Sequence, residues 1–283
     1  MKAPKILAVA SAVDLDFRYG CTPAWWQLWK GLYEVGVDLV VTPYRGRPVE
    51  SPWWRTAANP TWVEGEGYAR VRDGLARVKG DRYLRRAEAV FWAADTEFFA
   101  PHEVEKVHDV FFYGYGDKFR RDWMAAMVGE PSRRAPELEF ALGGRDYRGD
   151  IGRAWVQGDV PFNTFARAIS QARINLNITR RSHASVYASS SCRPFELAAC
   201  GAAIVSNPYN GIERWFEPGK ELLVVNDADE ALAAYQQLLD DPGQAEAMGQ
   251  RARERVLDEH TYAHRARQVL DLVGLGRTAD ARV

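Results

Sequence analysis

The sequence predicts an α/β protein built on parallel sheets, and three observations carry that prediction. Lys5 to Ala10 is a short apolar run bounded by polar residues, the pattern of a strand covered on both faces. A helical pattern and a second apolar run, Val37 to Thr42, follow it closely, which makes a βαβ unit with a right-handed crossover. A second α/β unit then starts at Asp109, and strands and helices alternate from there.

In the first unit Thr22 is a good N-cap and Pro23 suits the first helical position, where its missing N–H has no partner to lose. Leu28, Leu32 and Val35 share a face, and Gly36 closes the helix. From Tyr44 to Trp62 the chain is rich in Pro, Trp and Arg without periodicity, so it reads as a loop that packs rather than a linker. Glu64 to Arg86 is helical in spacing, with Tyr68, Val71, Leu75 and Val78 on one side. Ala87 to Ala93 is expected to be a strand.

In the second unit Val110 to Tyr113 reads as a strand, Gly114 to Gly116 as a tight turn, and Asp117 as the cap of a helix ending near Val128. Strands are expected at Leu138 to Leu142, Trp155 to Gln157 and Ile174 to Ile178, with Asn163 capping a helix through Ala172. Asn175 and Asn177 share a face of their strand. They could line a ligand or tie neighbouring loops. Arg193 to Glu196 enter a short helix ended by Gly201, with buried strands Ala203 to Ser206 and Leu222 to Val225 beyond it. Three helices close the chain. Asp229 to Asp240 turns Leu232, Tyr235 and Leu239 inward, Gln244 to Leu257 follows, and the last begins near Thr261.

With 283 residues and 47% hydrophobic residues, the chain can build one large or two small cores. The net charge of −1 provides no global field for nucleic acid or an anionic membrane surface. The amino-terminal apolar run is broken by Asp14 and Asp16, too short for a membrane span and a poor signal-peptide core, which leads us to expect a cytoplasmic protein. Cys21, Cys192 and Cys200 lack metal-ligand spacing, so free thiols are expected, with no zinc site. Trp25, Trp26, Trp29, Trp53, Trp54 and Trp62 crowd the first quarter, serving either a core or sugar stacking.

Chemistry concentrates between Arg180 and Glu217. A polar loop leads into a helix start that carries Arg193 and Glu196, and free N–H groups at a helix start attract anions. That suits a diphosphate and the sugar beside it. His183 in the polar loop is a candidate base or phosphate contact, against the commoner role of a surface histidine. The loop after the first strand lacks GxGxxG but offers Asp14 and Asp16, one of which could act as a general base on an acceptor hydroxyl, against the commoner role of loop caps and surface charges. His260 and His264 have the spacing of a metal pair without a third ligand, so capping and packing are the better reading.

The ordered set VFFYGYGD, RPFELAACG, GIERWFEPGKE and EHTYAHR resembles the donor-binding domain of GT-B glycosyltransferases, nearest to CgeB-like proteins and glycosyltransferase family four. The resemblance implies two Rossmann-like domains: a shortened acceptor-side domain over 1–106, a nucleotide-sugar donor domain over 107–274, and a tail over 275–283. It implies that Glu196 holds the ribose hydroxyls, Arg193 meets the diphosphate, and Gly114, Tyr115 and Gly116 face the phosphates. Gly158 to Val160 would lie near the base, and Glu213 could touch the donor. The implied reaction transfers a sugar from a nucleoside diphosphate to an unknown acceptor, with no bound metal or other cofactor. Two departures stand out: Ala188 occupies the position of a glutamate common in retaining relatives, and the first domain is short. An exposed sheet edge there would need the Trp-rich loop or a second copy of the chain to cover it. The alternative is a non-catalytic module that binds a nucleotide sugar or a partner protein. A nucleotide-linked epimerase is the weakest reading, for want of an acid and base pair.

Overall fold

The computed structural model describes residues 5–10, 24–43, 50–57, 90–116 and 118–275. Two compact units result. One holds the described residues up to Phe91 and returns for those from Tyr262 onward; the other holds Trp92–Thr261. The sequence placed the junction at 106/107 and kept the last helix with the second domain.

In the first unit β1 (Lys5–Ala10), β2 (Asp38–Pro43) and the two-residue β3 (Arg55–Thr56) form a parallel sheet in that order. Helix α1 (Ala24–Glu34) connects β1 to β2, as the βαβ reading requires. Its small residue Gly31 lies against the last helix, where an added Cβ would stand 2.6 Å from the Tyr262 carbonyl oxygen. Of the expected packing loop, residues 50–57 are described, and they hold β3 as well as Trp53 and Trp54. Trp53 and Trp54 reach α1, with Trp26 and Trp53 edge to face at 4.6 Å and Trp29 and Trp54 at 5.4 Å. Trp29 and Trp54 are buried beside Leu32, Leu39 and Val41. The described tryptophans of this quarter therefore build a core, which large rings do well because each removes much apolar area from water. Trp62, the Thr22 cap and the 64–86 helix lie outside the described residues. The expected strand at 87–93 is not formed over its described part, 90–93; the next residue, Ala94, makes a bridge to Thr261.

The second unit is a six-stranded parallel sheet in the order β6-β5-β4-β7-β8-β9. These strands are β4 (His108–Tyr115), β5 (Phe140–Arg145), β6 (Trp155–Gly158), β7 (Ala172–Asn177), β8 (Ala203–Ser206) and β9 (Leu223–Val224). The helices are α2 (Arg121–Met124), which runs through a π-helical stretch at Ala125–Gly129 into α3 (Glu130–Arg134), then α4 (Phe162–Ser170), α5 (Arg181–Ala184) and α6 (Arg193–Ala199). After these come α7 (Ala228–Asp240), α8 (Pro242–Glu259) and, within the first unit, α9 (Tyr262–Leu272). Three expectations shift by local physics. Pro161 rather than Asn163 stands at the start of α4, and Ala172 already belongs to β7. Asp227 caps α7 by accepting from the Glu230 N–H. That helix turns Ala231, Ala234, Tyr235 and Leu238 inward, so Leu238 takes the place expected of Leu239.

Tyr235 explains the π-helical stretch in part. Its hydroxyl donates to the Met127 carbonyl at 2.6 Å, and burial pushes the phenol pKa well above its ordinary value. Removing that hydroxyl leaves a buried carbonyl without this donor. Tyr235→Phe is expected to lower the unfolding free energy by about 1–2 kcal/mol, measurable by urea denaturation. A change within experimental error would mean that the carbonyl is satisfied otherwise.

His108 supplies a pH prediction. It begins β4, its ring 6.3 Å from that of Phe111 and 6.1 Å from that of Trp155, and burial lowers its pKa against the opposing charges of Glu139 and Asp109. The native state therefore binds fewer protons than the unfolded state between the two pKa values, so stability rises with pH across that window. Stability should fall as the pH drops below the ordinary histidine range. His108→Asn should flatten that part of a stability-against-pH curve, and an unchanged curve would contradict the assignment.

Candidate functional site

Parallel strands in an open α/β sheet leave their carboxyl ends free for ligands, and the candidate residues of the second unit gather there. Helix α6 begins at this end, after the loop that follows β7. Pro194 occupies its first turn, and Gly201, with φ of 67°, ends it. All of Pro194 to Ala199 is buried, which fixes the helix against the sheet. With seven residues α6 is short, so charge at its start comes mainly from side chains.

Arg193 and Glu196 form a pair there. The guanidinium donates to Glu196 Oε2 at 3.0 Å, with side-chain exposures of 14% and 4%. Arg193 also lies over two aromatic faces, 4.9 Å from the Tyr113 ring and 4.5 Å from the Phe165 ring. A delocalised, weakly hydrated guanidinium suits that position better than an ammonium would. Tyr113 and Phe165 thus position Arg193, although neither stood out in the sequence. No spacing rule connects a strand residue with a helix residue so far along the chain.

The expected turn at Gly114–Gly116 is instead the end of β4, which runs through Tyr115, while the Gly116 N–H still donates to the Arg145 carbonyl. Gly144 and Gly116 are explained by close approach. An added Cβ at Gly144 would collide with the Gly114 carbonyl, and one at Gly116 would enter the Tyr147 ring. Tyr147 tucks under this strand end and donates toward the Gly143 and Gly114 carbonyls at 2.5 and 3.1 Å. Arg120 links the ends of two strands, donating to the Ile178 carbonyl at 2.6 Å and the Tyr115 carbonyl at 2.9 Å. Asp117 lies outside the described residues, as do Asp14 and Asp16.

Between β7 and α6 the chain folds back on the segment after β8. The Ala188 N–H donates to the Asn210 carbonyl at 2.7 Å, and the Trp215 indole donates to the Ala188 carbonyl at 3.1 Å. Ala188 has φ of 56°, a left-handed conformation uncommon for a residue with a Cβ, and Gly211 at φ of 84° lies against its backbone. His183 sits in α5. It is half-buried, with Nδ1 shielded from water and without a hydrogen-bonding partner, unlike the surface histidine its loop position favours. Glu213 is exposed on the short helical turn Ile212–Arg214, and Glu217 bonds back to Lys220 as a helix-end charge would.

Asn175 and Asn177 are buried, and their shortest bonds go to the neighbouring helix α4 and strand β8 rather than to loops. Asn175 donates to the Ile169 carbonyl at 3.1 Å, and Asn177 donates to Ser206 Oγ at 2.8 Å. Asn207 accepts from the Thr179 N–H at 2.7 Å. Cys192 and Cys200 are free, and burial pushes the Cys200 thiol far above its ordinary pKa. His260 is buried between the Phe195 and Trp215 rings, at 5.4 and 5.5 Å, which is packing. Among the described residues no cluster of three or more metal-ligating side chains occurs, and no helix is long and apolar enough to cross a membrane.

This architecture is that of the GT-B glycosyltransferases, with two Rossmann-like domains. Solved structures agree in fold. Sucrose-phosphate synthase from Thermosynechococcus elongatus is 15% identical with a TM-score of 0.65, over 98% of this chain and 100% of that one. The T4 phage β-glucosyltransferase in complex with UDP-glucose is 12% identical with a TM-score of 0.60, over 98% and 99%. HepE from Anabaena, in complex with UDP, is 11% identical with a TM-score of 0.55, over 84% and 72%. No curated protein sequence matches the chain. A family model described as "Glycosyl transferase-like" matches residues 120–271, more than half of the chain, and the protein belongs to that family.

Proposed function

We propose that the protein transfers a sugar from a nucleoside-diphosphate sugar to an acceptor, and that residues at the carboxyl end of the second sheet hold the donor. The observation that carries this reading is the Arg193–Glu196 pair, set at a helix start beside the ends of β4 and β7. Glu196 would accept hydrogen bonds from the ribose hydroxyls, and Arg193 would meet the diphosphate as it departs with the electron pair of the broken C1–O bond. Gly114 to Gly116 would bring backbone close to the phosphates, and His183 and Glu213 would border the sugar. An acceptor oxygen forms the new bond to C1 and gives its proton to a base, for which Asp14 and Asp16 are our candidates. Positive side chains would stabilise the leaving group without a metal. A cytoplasmic setting, a CgeB-like specificity and a second copy covering the first unit belong to the same proposal.

Titration calorimetry of the purified chain with UDP, GDP and their glucose conjugates tests the reading. Binding of at least one nucleotide, and release of its diphosphate in the presence of an acceptor pool, is expected. Folded protein that binds none of them would overturn the reading, while binding without turnover would favour the non-catalytic module.

A further inference from the structure

The second unit has a cleft at the opposite end of its sheet, where β7 and β8 begin rather than end. Its volume is about 410 Å³, within the range of small-molecule sites. Ile169, Cys200, Ala203 and Leu238 supply a buried apolar floor, with Leu239 beside them. The rim carries His102, Lys106 and Arg173, and Glu246 is the one acid in the lining.

Lys106 is held in place by two carbonyls: Nζ donates to those of Ser170 and Ala172 at 2.8 and 2.9 Å. An ammonium carries three donors, so a third remains for a ligand. Burial lowers the pKa of Lys106, the neighbouring Arg173 charge adds to that, and Glu246 opposes it. Arg173 already shares an ion pair with Asp109 at 3.3 Å, but at half exposure this leaves its other guanidinium donors accessible. Two cations are thus held near one another over an apolar floor, an arrangement that an oxyanion would relieve.

We propose that this cleft is a second ligand site, for a small molecule that joins one oxyanion, carboxylate or phosphate, to an apolar ring or chain. The oxyanion meets Lys106 and Arg173, and the apolar body lies against Ile169, Leu238 and Leu239. Donor and ligand then occupy opposite ends of the same strands and do not compete for space. The cleft itself is independent of the transferase reading; the absence of competition rests on the donor site proposed above, and a probe that binds while UDP does not bind at all would separate the two.

Calorimetry with phenyl phosphate and benzoate, with benzyl alcohol and inorganic phosphate as controls, provides the test. At least one aromatic oxyanion is expected to bind with Kd below about 1 mM, and both controls to bind at least about tenfold more weakly. The two aromatic probes distinguish a phosphate from a carboxylate preference. The Lys106→Gln, Arg173→Gln double variant should weaken binding about tenfold or more. Leu239→Trp, which fills the floor without touching the charges, should weaken it independently. Saturating UDP and Arg193→Ala should leave it unchanged. The proposal is overturned if neither aromatic oxyanion binds, if inorganic phosphate binds as well as phenyl phosphate, or if UDP displaces the probe.

Discussion

Replacing Phe195 by alanine is expected to lower the unfolding free energy by about 3–5 kcal/mol, as for other buried phenylalanines, with the urea midpoint falling accordingly. The side chain is 0% exposed, and its ring meets those of Trp215, Phe216 and His260 at 5.6, 5.7 and 5.4 Å. Those rings come from the segment after β8 and from the end of α8. Each is held by its own contacts, so the space left by the phenyl group would close only in part. The expected loss therefore lies above that of an ordinary methylene deletion. Phe195→Leu, which keeps most of the volume, should recover much of it. A Phe195→Ala variant as stable as the parent would show that these rings repack freely.

Glu196→Ala is expected to weaken nucleotide binding by about 1–3 kcal/mol, or roughly 5- to 150-fold in Kd, while Phe195→Ala acts chiefly on folding. Two effects add. On the proposed donor reading the ribose would lose its acceptor, and Arg193 loses the carboxylate that holds it at 3.0 Å. Over Tyr113 and Phe165 the freed guanidinium could swing away from the diphosphate position. Glu196→Gln separates these contributions, since it keeps the shape and some hydrogen bonding but ends the ion pair. Binding of UDP or GDP by calorimetry is the measurement, with circular dichroism to establish that each variant is folded. A folded Glu196→Ala protein with parental nucleotide affinity would remove Glu196 from the site.

The alternation of strands and helices was legible in the sequence because it depends on local patterns. Pro194 and Gly201 bracket a helix by their own backbone preferences, and runs such as AAIVS mark covered strands wherever they occur. What depends on distant residues was not legible. The close approach of Gly144 to the Gly114 carbonyl, and of Gly116 to the Tyr147 ring, joins residues far apart in the chain that no local pattern connects. Leu238 is buried where Leu239 was expected, while Leu239 packs half-buried against the same core. The Trp-rich quarter fitted two roles equally well until the distances between its rings assigned the described members to the core. In the candidate site, Arg193 and Glu196 stood out through charge at a helix start. Their aromatic platform did not, since Tyr113 and Phe165 read as ordinary apolar positions.

The return of the chain to its first unit bears on how the protein is made. Helix α9 (Tyr262–Leu272) packs on α1 (Ala24–Glu34), so the unit begun first during synthesis gains its last helix only after nearly all of the chain has emerged. The residues of the second unit, Trp92–Thr261, are all made before that helix. Until then α1 exposes the side that Gly31 keeps flat for its partner, a surface for a chaperone or for misassembly. The first unit can therefore be completed only after the residues of the second have been made.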